Sequence, residues 1–177
     1  MLALIMMFLL FLSFSLFSGM KKRNISVIFN DIGGKADVKI GRFSFVQSQD
    51  GIKNWELKAD RAEIFEKDKK AQLETVAVKM KTPEGLELSM EGDSGSIDTE
   101  RKDFHLQKQA DLMAIQMSNG YIIKTPAISW FNDRKVIVAD GPAHITGPQI
   151  EIDGSELQIA AETQEVTISG RVQALVH

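Results

Sequence analysis

WELKADRAEI, at positions 55–64, decides the fold, because the chain returns to its pattern three more times. LSMEGDSGSI begins at Leu88, YIIKTPAISW at Tyr121 and IEIDGSELQI at Ile150. In each stretch, positions one, three and ten are large and apolar. Position five is small: Ala59, Gly92, Thr125 and Gly154. A charged or polar turn follows at the same offset each time, as KDKK (67–70), TERKD (99–103), NDRK (132–135) and ETQE (162–165). A second apolar strand then closes the unit, as in LETVAVKM (73–80) or EVTISGRVQALV (165–176). From Trp55 to Leu88 and from Leu88 to Tyr121 is 33 residues, and from Tyr121 to Ile150 is 29.

Repeats of this length are supersecondary units that stack because none can bury its apolar face alone. Within each, apolar residues alternate with polar ones, the signature of half-buried strands. The alternation starts at Val38, Ile40, Phe43 and Phe45 and continues to the end of the chain. Residues 59–72 are rich in helix formers, but Ala62 and Ile64 carry the strand period through them. The expected fold is all-β, an open antiparallel β-jelly roll built of tandem hairpins. The small fifth residue suits a bend or bulge, where a Cβ would crowd the backbone.

Ahead of the repeats, residues 1–20 carry no charge. That length matches the roughly 20 helical residues that cross a bilayer core. Charge begins abruptly at Lys21, Lys22 and Arg23. A cleaved signal peptide would want a basic start, a shorter apolar core and a small-x-small cleavage site. An uncleaved transmembrane α-helix at 1–20 fits better, followed by a linker at 21–35 and the β-domain at 36–177. The positive-inside bias would place Lys21, Lys22 and Arg23, and with them the domain, in the cytoplasm.

The composition removes most enzyme classes. The 177 residues include 21 Lys and Arg against 24 Asp and Glu, a net charge of −3, which argues against a duplex nucleic-acid binder. Cysteine is absent, which excludes thiolate catalysis, Cys-based zinc sites and disulfides. His105, His144 and His177 have no metal-like spacing. Glu91, Asp93, Asp98 and Glu100 lack the ligand order of a calcium loop and read as a solvated turn region. Ser94, Ser96, Ser118 and Ser129 lack a nucleophile-elbow context. The glycines form no phosphate-binding loop. No active site, metal or cofactor is expected.

Several stretches resemble the LptC family, the bitopic component of the lipopolysaccharide transport machine. The most telling is Phe45-x-Gln47, then Gly51 and Trp55-x-Leu57-x-Ala59-x-x-Ala62, similar to the family's opening strands. Thr146-Gly147 followed by Ile150, Ile152 and Gly154 resembles a late strand start of the family, and the repeat is similar to the units of LptA and the periplasmic part of LptD. The resemblance covers nearly the whole chain. It implies a periplasmic jelly roll tethered to the bacterial inner membrane by one helix, in contact with the ABC transporter of LptB, LptF and LptG. Lipopolysaccharide would pass from that transporter through the jelly-roll groove to LptA, with no covalent chemistry in this chain.

Acyl chains in water need a continuous apolar trough, which inward-facing alternate residues of an unclosed sandwich provide. The expected lining is Trp55, Leu57, Val76, Val78, Met80, Leu88, Met90, Met113, Ile115 and Ile123. Thioethers suit a surface that accommodates irregular chains, although any sandwich fills its core with such residues. Unclosed sheets also leave edges open to strand addition. The expected edges are a first strand with Val38, Ile40, Phe43 and Phe45, and a last strand with Val166, Ile168, Val172 and Ala174. The resemblance assigns the first to LptF and the last to LptA. A membrane-anchored adaptor that scaffolds an envelope complex without binding lipid is the other reading of the same features.

Overall fold

Alternating side chains demand strands, and the computed structural model, which describes residues 35–49, 52–139 and 141–177, places them there. The anchor expected at residues 1–20 and the linker up to residue 34 lie outside the described residues. Among the described residues every regular element is a β-strand, and no helix is long and apolar enough to cross a membrane. Four long strands come first: β1 (Val38–Gln49), β2 (Ile52–Phe65), β3 (Lys70–Lys81) and β4 (Glu87–Asp98). Ten short ones follow: β5 (Phe104–Gln107), β6 (Met113–Met117), β7 (Ile122–Thr125), β8 (Ala127–Phe131), β9 (Val136–Ala139), β10 (Ala143–Thr146), β11 (Ile150–Gly154), β12 (Glu156–Ala160), β13 (Glu165–Ser169) and β14 (Gln173–Val176).

All pairings are antiparallel, and the sheet forks at β4. Leu88, Ser89 and Met90 pair with β6, whereas residues 94–97 pair with β5. One branch runs β4-β6-β7-β10-β11-β14 and the other β4-β5-β8-β9-β12-β13. The long strands belong to both branches, so the sheet has two leaves that share β1 to β4. We call the branch ending in β14 the first leaf and the branch ending in β13 the second.

A seam separates the leaves, and its cause is local. The β1–β2 ladder skips the pair Arg42–Asp60, the β2–β3 ladder skips Asp60–Thr75, and the β3–β4 ladder skips Thr75–Asp93. Arg42 and Thr75 have left-handed φ values of 60° and 53°. The buried side then slips by one residue: Trp55, Leu57 and Ala59 are buried before the seam on β2, and Ala62 after it. Two successive residues point outward at the corner, which is how a bulged strand bends from one sheet into another. In the third and fourth repeats the corner goes further and splits the strand, at Pro126 and at Ser155. Proline has no N–H for the ladder, so Pro126 marks such a break directly.

The repeat is therefore structural. Position five, Ala59, Gly92, Thr125 or Gly154, is the last inward residue of the first leaf in every unit, and each is buried. The turn that follows repeats too. Lys69, Lys102, Lys135 and Gln164 occupy the same position of successive units, and all four have left-handed φ values of 53–64°. Units are stitched at these turns: Thr99 N–H donates to Lys69 O (2.8 Å), and Ala161 N–H donates to Lys135 O (2.8 Å). At the equivalent place between the second and third units, Asn132 N–H donates to the Asp103 carboxylate instead (2.8 Å). Burial pushes the Asp103 carboxyl above its usual range, against the lowering effect of that hydrogen bond.

The structure corrects one expectation outright. Residues 166–176 are not a single edge strand. Gly170, at φ 84°, breaks them into β13 and β14. β13 closes the second leaf on β12, and β14 closes the first on β11. The reason is the seam: this return segment crosses from one leaf to the other, as the segments split into β5 and β6 and into β9 and β10 do before it.

Candidate functional site

The space between the leaves is the candidate site, and each wall follows from strand alternation. Trp55 and Leu57 from β2, Val76, Val78 and Met80 from β3, Leu88 and Met90 from β4, Met113 and Ile115 from β6, and Ile123 from β7 all point into it and are buried. Register ties them into rows: Val78 faces Leu57 and Met90, and Met90 faces Ile115, which faces Ile123. All ten residues expected to line a groove thus come together, and all ten lie on the first leaf.

The opposite wall is absent from that expectation. It consists of Ala62, Leu73, Ile97, Phe104, Leu106, Ile128, Trp130, Ile137, Leu157 and Ile159, all buried in the same cluster. A signal was available in the frame itself, since Ala62, Ile128 and Leu157 share its eighth position and Trp130, Ile97 and Ile159 its tenth. Phe104, Ile128 and Ile137 lie on strands of four or five residues, and Ala62, Leu73 and Ile97 lie past the seam, where the inward side has slipped by one residue. The walls meet through aromatic rings. Trp55 packs edge-on against Phe104 (centroids 5.3 Å), and Phe104 stacks on its neighbour Trp130 (6.3 Å). Phe45 stacks on Trp55 from the β1 side at 5.5 Å.

At both ends of the leaves the inward rows lose their cover. β1 pairs only with β2, and its Ile40, Phe43 and Phe45 stand opposite buried Ala62, Ala59 and Leu57, yet are only half-buried. At the other end, Val166 and Ile168 on β13 stand opposite Ile159 and Leu157. On β14, Ala174 and Val176 stand opposite Ile152 and Ile150. Val176 is nonetheless 73% exposed, and Val38, Val166 and Val172 are also exposed. Of the residues expected at partner edges, those on β1, β13 and β14 belong to the ends of the interior rows, whereas Val172 lies on no strand, in the link between β13 and β14.

The rims opposite the seam touch. Gln164 Nε2, on the turn between β12 and β13, donates to Glu84 Oε2 (3.3 Å) and Thr82 Oγ1 (3.5 Å) on the turn between β3 and β4. Among the described residues three buried side-chain polar atoms have no partner: the indole nitrogens of Trp55 and Trp130, and Ser96 Oγ. A depression of about 380 Å³ is lined by apolar Leu112, Pro142 and Ala143 together with Lys124, Arg171 and the His144–Asp153 pair (2.7 Å). Of the histidines, His105 hydrogen-bonds Ser129 (3.0 Å) and His177 lies 3.7 Å from Glu151. Among the described residues no three His, Asp or Glu gather in a way that holds a metal.

The family model for LptC, described as lipopolysaccharide-assembly, LptC-related, matches residues 2–177 of this chain. No curated protein matches it in sequence. Among solved structures it is similar to LptH, the LptA-homologous periplasmic component of the conserved lipopolysaccharide transport device from Pseudomonas aeruginosa. The two share 13% identity at a TM-score of 0.56, covering 70% of this chain and 94% of that one. At that identity the likeness concerns the fold, an all-β antiparallel jelly-roll-like sheet. Family and fold together support a role in lipopolysaccharide transport.

Proposed function

Because this chain belongs to the LptC family, we propose that the space between its leaves carries the acyl chains of lipopolysaccharide from the inner-membrane ABC transporter to LptA. The observation that supports this best is the continuity of the inward apolar rows, from half-covered β1 across both walls to uncovered β13 and β14. Hydrocarbon entering at one end would meet apolar side chains throughout and leave at the other. Trp55, Leu57, Val76, Val78, Met80, Leu88, Met90, Met113, Ile115 and Ile123 form one wall of that path, and the wall carrying Phe104 and Trp130 the other.

The two ends receive the partners. Strand addition on β1 would join LptF, and addition on β13 or β14 would join LptA, because those strands retain unpaired backbone on one side. Residues 1–20 anchor the domain in the inner membrane, with the domain in the periplasm. That topology puts Lys21, Lys22 and Arg23 outside, against the usual bias, and a reporter active only in the periplasm, fused after His177, tests it.

Photo-crosslinking in cells tests the path itself. A probe at Val78 or Met90 should capture lipopolysaccharide, and one at the outward neighbours Lys79 or Ser89 should not. One observation favours the adaptor reading: all ten first-leaf residues are buried in a packed cluster, so lipid must part the leaves to reach them. With the domain folded and exported, adducts at none of the four positions would leave that reading standing and refute transport through the interior.

A further inference from the structure

Trp55 and Trp130 are each 2% exposed, and neither indole N–H has a hydrogen-bond partner. Folded proteins satisfy the large majority of buried donors, so two orphaned indoles within one core cluster call for a cause. Packing alone does not demand an indole at either place. The frame position of Trp55 is filled by Leu88, Tyr121 and Ile150 in the other units, and that of Trp130 by Ile64, Ile97 and Ile159. The two indole rings come from opposite walls and flank one ring, Phe104, at centroid distances of 5.3 and 6.3 Å. Both also stand near the rim, Trp55 near the start of β2 and Trp130 near the end of β8, away from the seam.

We propose that the indole N–H groups of Trp55 and Trp130 donate to the carbonyl oxygens that join acyl chains to a lipid headgroup. The inference rests on the transport reading and assigns the step at which chains are held. An indole N–H is donor only, and a carbonyl oxygen is acceptor only, so the two match without a third group. Chain tips then lie toward the seam, where Ala59, Gly92 and Gly154 add no side-chain polarity and the Thr125 hydroxyl donates to Ala127 O. The carbonyls lie at the rim, where the leaves can part and the headgroup can face water. In a site dried by apolar walls such a hydrogen bond is stronger than in water. A lipid with the same chains joined by ether links offers no carbonyl and would be held less well.

The chain has two tryptophans, so ¹⁵N-indole labelling of the full-length protein in detergent yields two Nε1–H signals, assigned by Trp55→Phe and Trp130→Phe. Titrating lipopolysaccharide should move both downfield, and an ether-linked lipid of matched chain length should not. Replacing either tryptophan with β-(3-benzothienyl)alanine keeps the bicycle and removes the donor. Each replacement should weaken lipopolysaccharide binding about three- to tenfold, the worth of one net hydrogen bond, and leave Tm unchanged or higher because an orphan donor is gone. Lipopolysaccharide binding with both signals unmoved and full affinity in the benzothienyl variants overturns this inference alone. An absence of binding to the wild-type chain, together with no adducts at Val78 and Met90, overturns the transport reading and this inference with it.

Discussion

Gly95→Ala and Gly154→Ala rank oppositely by burial and by what the new methyl group would meet. Gly154 is buried and Gly95 half-buried, so a count of exposure predicts the larger loss at Gly154. The surroundings say otherwise. A Cβ on Gly95 would lie 2.6 Å from the backbone oxygen of His105 and 2.7 Å from Leu106 Cδ2. That oxygen belongs to the β4–β5 ladder, where Gly95 pairs with Leu106, so relief requires opening the fork of the sheet. A Cβ on Gly154 would meet the side chain of Ile168, which stands half-buried on edge strand β13 and can swing outward. Neither glycine has a left-handed φ, so alanine gains about 0.4–1 kcal/mol at both from a stiffer unfolded chain. Overpacking costs about 1–3 kcal/mol, at the upper end against backbone and the lower end against a movable side chain. Gly95→Ala should therefore lose about 2 kcal/mol net, and Gly154→Ala should stay within about 0.5 kcal/mol of wild type. For a domain of this size, roughly 3 °C of Tm accompanies each kcal/mol. Urea and thermal unfolding of the full chain, followed by circular dichroism and tryptophan fluorescence, measure both. An equal or larger loss at Gly154 would refute the argument that neighbour stiffness outweighs burial here.

Met90→Arg places a charge among Val78, Ile115 and their neighbours, so it should destabilise the domain by several kcal/mol and block lipid capture at Val78. Ser89→Arg, one residue away on the outer side, should change stability by less than about 0.5 kcal/mol, and equal losses in unfolding experiments would show that the face assignment is wrong. Lys102→Gly removes a side chain from a left-handed turn position and should raise the urea midpoint, by about 0.5–1 kcal/mol in stability; a lowered midpoint contradicts the strain argument. For Asp103, the raised folded-state pKa means the native chain holds its proton to higher pH than the unfolded chain does. The contribution of Asp103 to stability should be fully present below the unfolded pKa and be lost as pH rises through the folded value. Asp103→Asn keeps an acceptor for Asn132 N–H and should remove that slope, which paired pH–stability curves would reveal. Leu175→Glu, at a position 57% exposed on β14, should leave Tm unchanged while reducing crosslinks to a strand-adding partner; undiminished crosslinks would count against β14 as a docking edge.

The frame beginning at Trp55 was enough to foretell strands, turns and their recurrence, because each depends on residues within ten positions of one another. Alternation at Trp55, Leu57 and Ala59 specifies one face of one strand, and the charged turns specify where hairpins reverse. It was also enough to collect the first wall: seven of its ten residues lie on β2, β3 and the start of β4, and Met113, Ile115 and Ile123 keep the same alternation on the short β6 and β7. The second wall escaped. Phe104 and Ile137 sit in strands of four residues, and their role depends on the fork at β4, where one strand serves two partners. Ala62, Leu73 and Ile97 sit on long strands but beyond the seam, where the inward side slips by one residue and the alternation read from Trp55 no longer applies.

Local chemistry, then, determined the elements: side-chain alternation, a small residue at each corner and a charged or polar turn. The tertiary structure alone decided that Thr75 and Asp93 lie on one seam, that Phe104 closes on Trp55, and that residues 166–176 end two different leaves. Those outcomes depend on pairing between strands remote in sequence and on how the sheet bends back on itself. A backbone hydrogen bond carries no record, in the residue that donates it, of which distant strand will accept it.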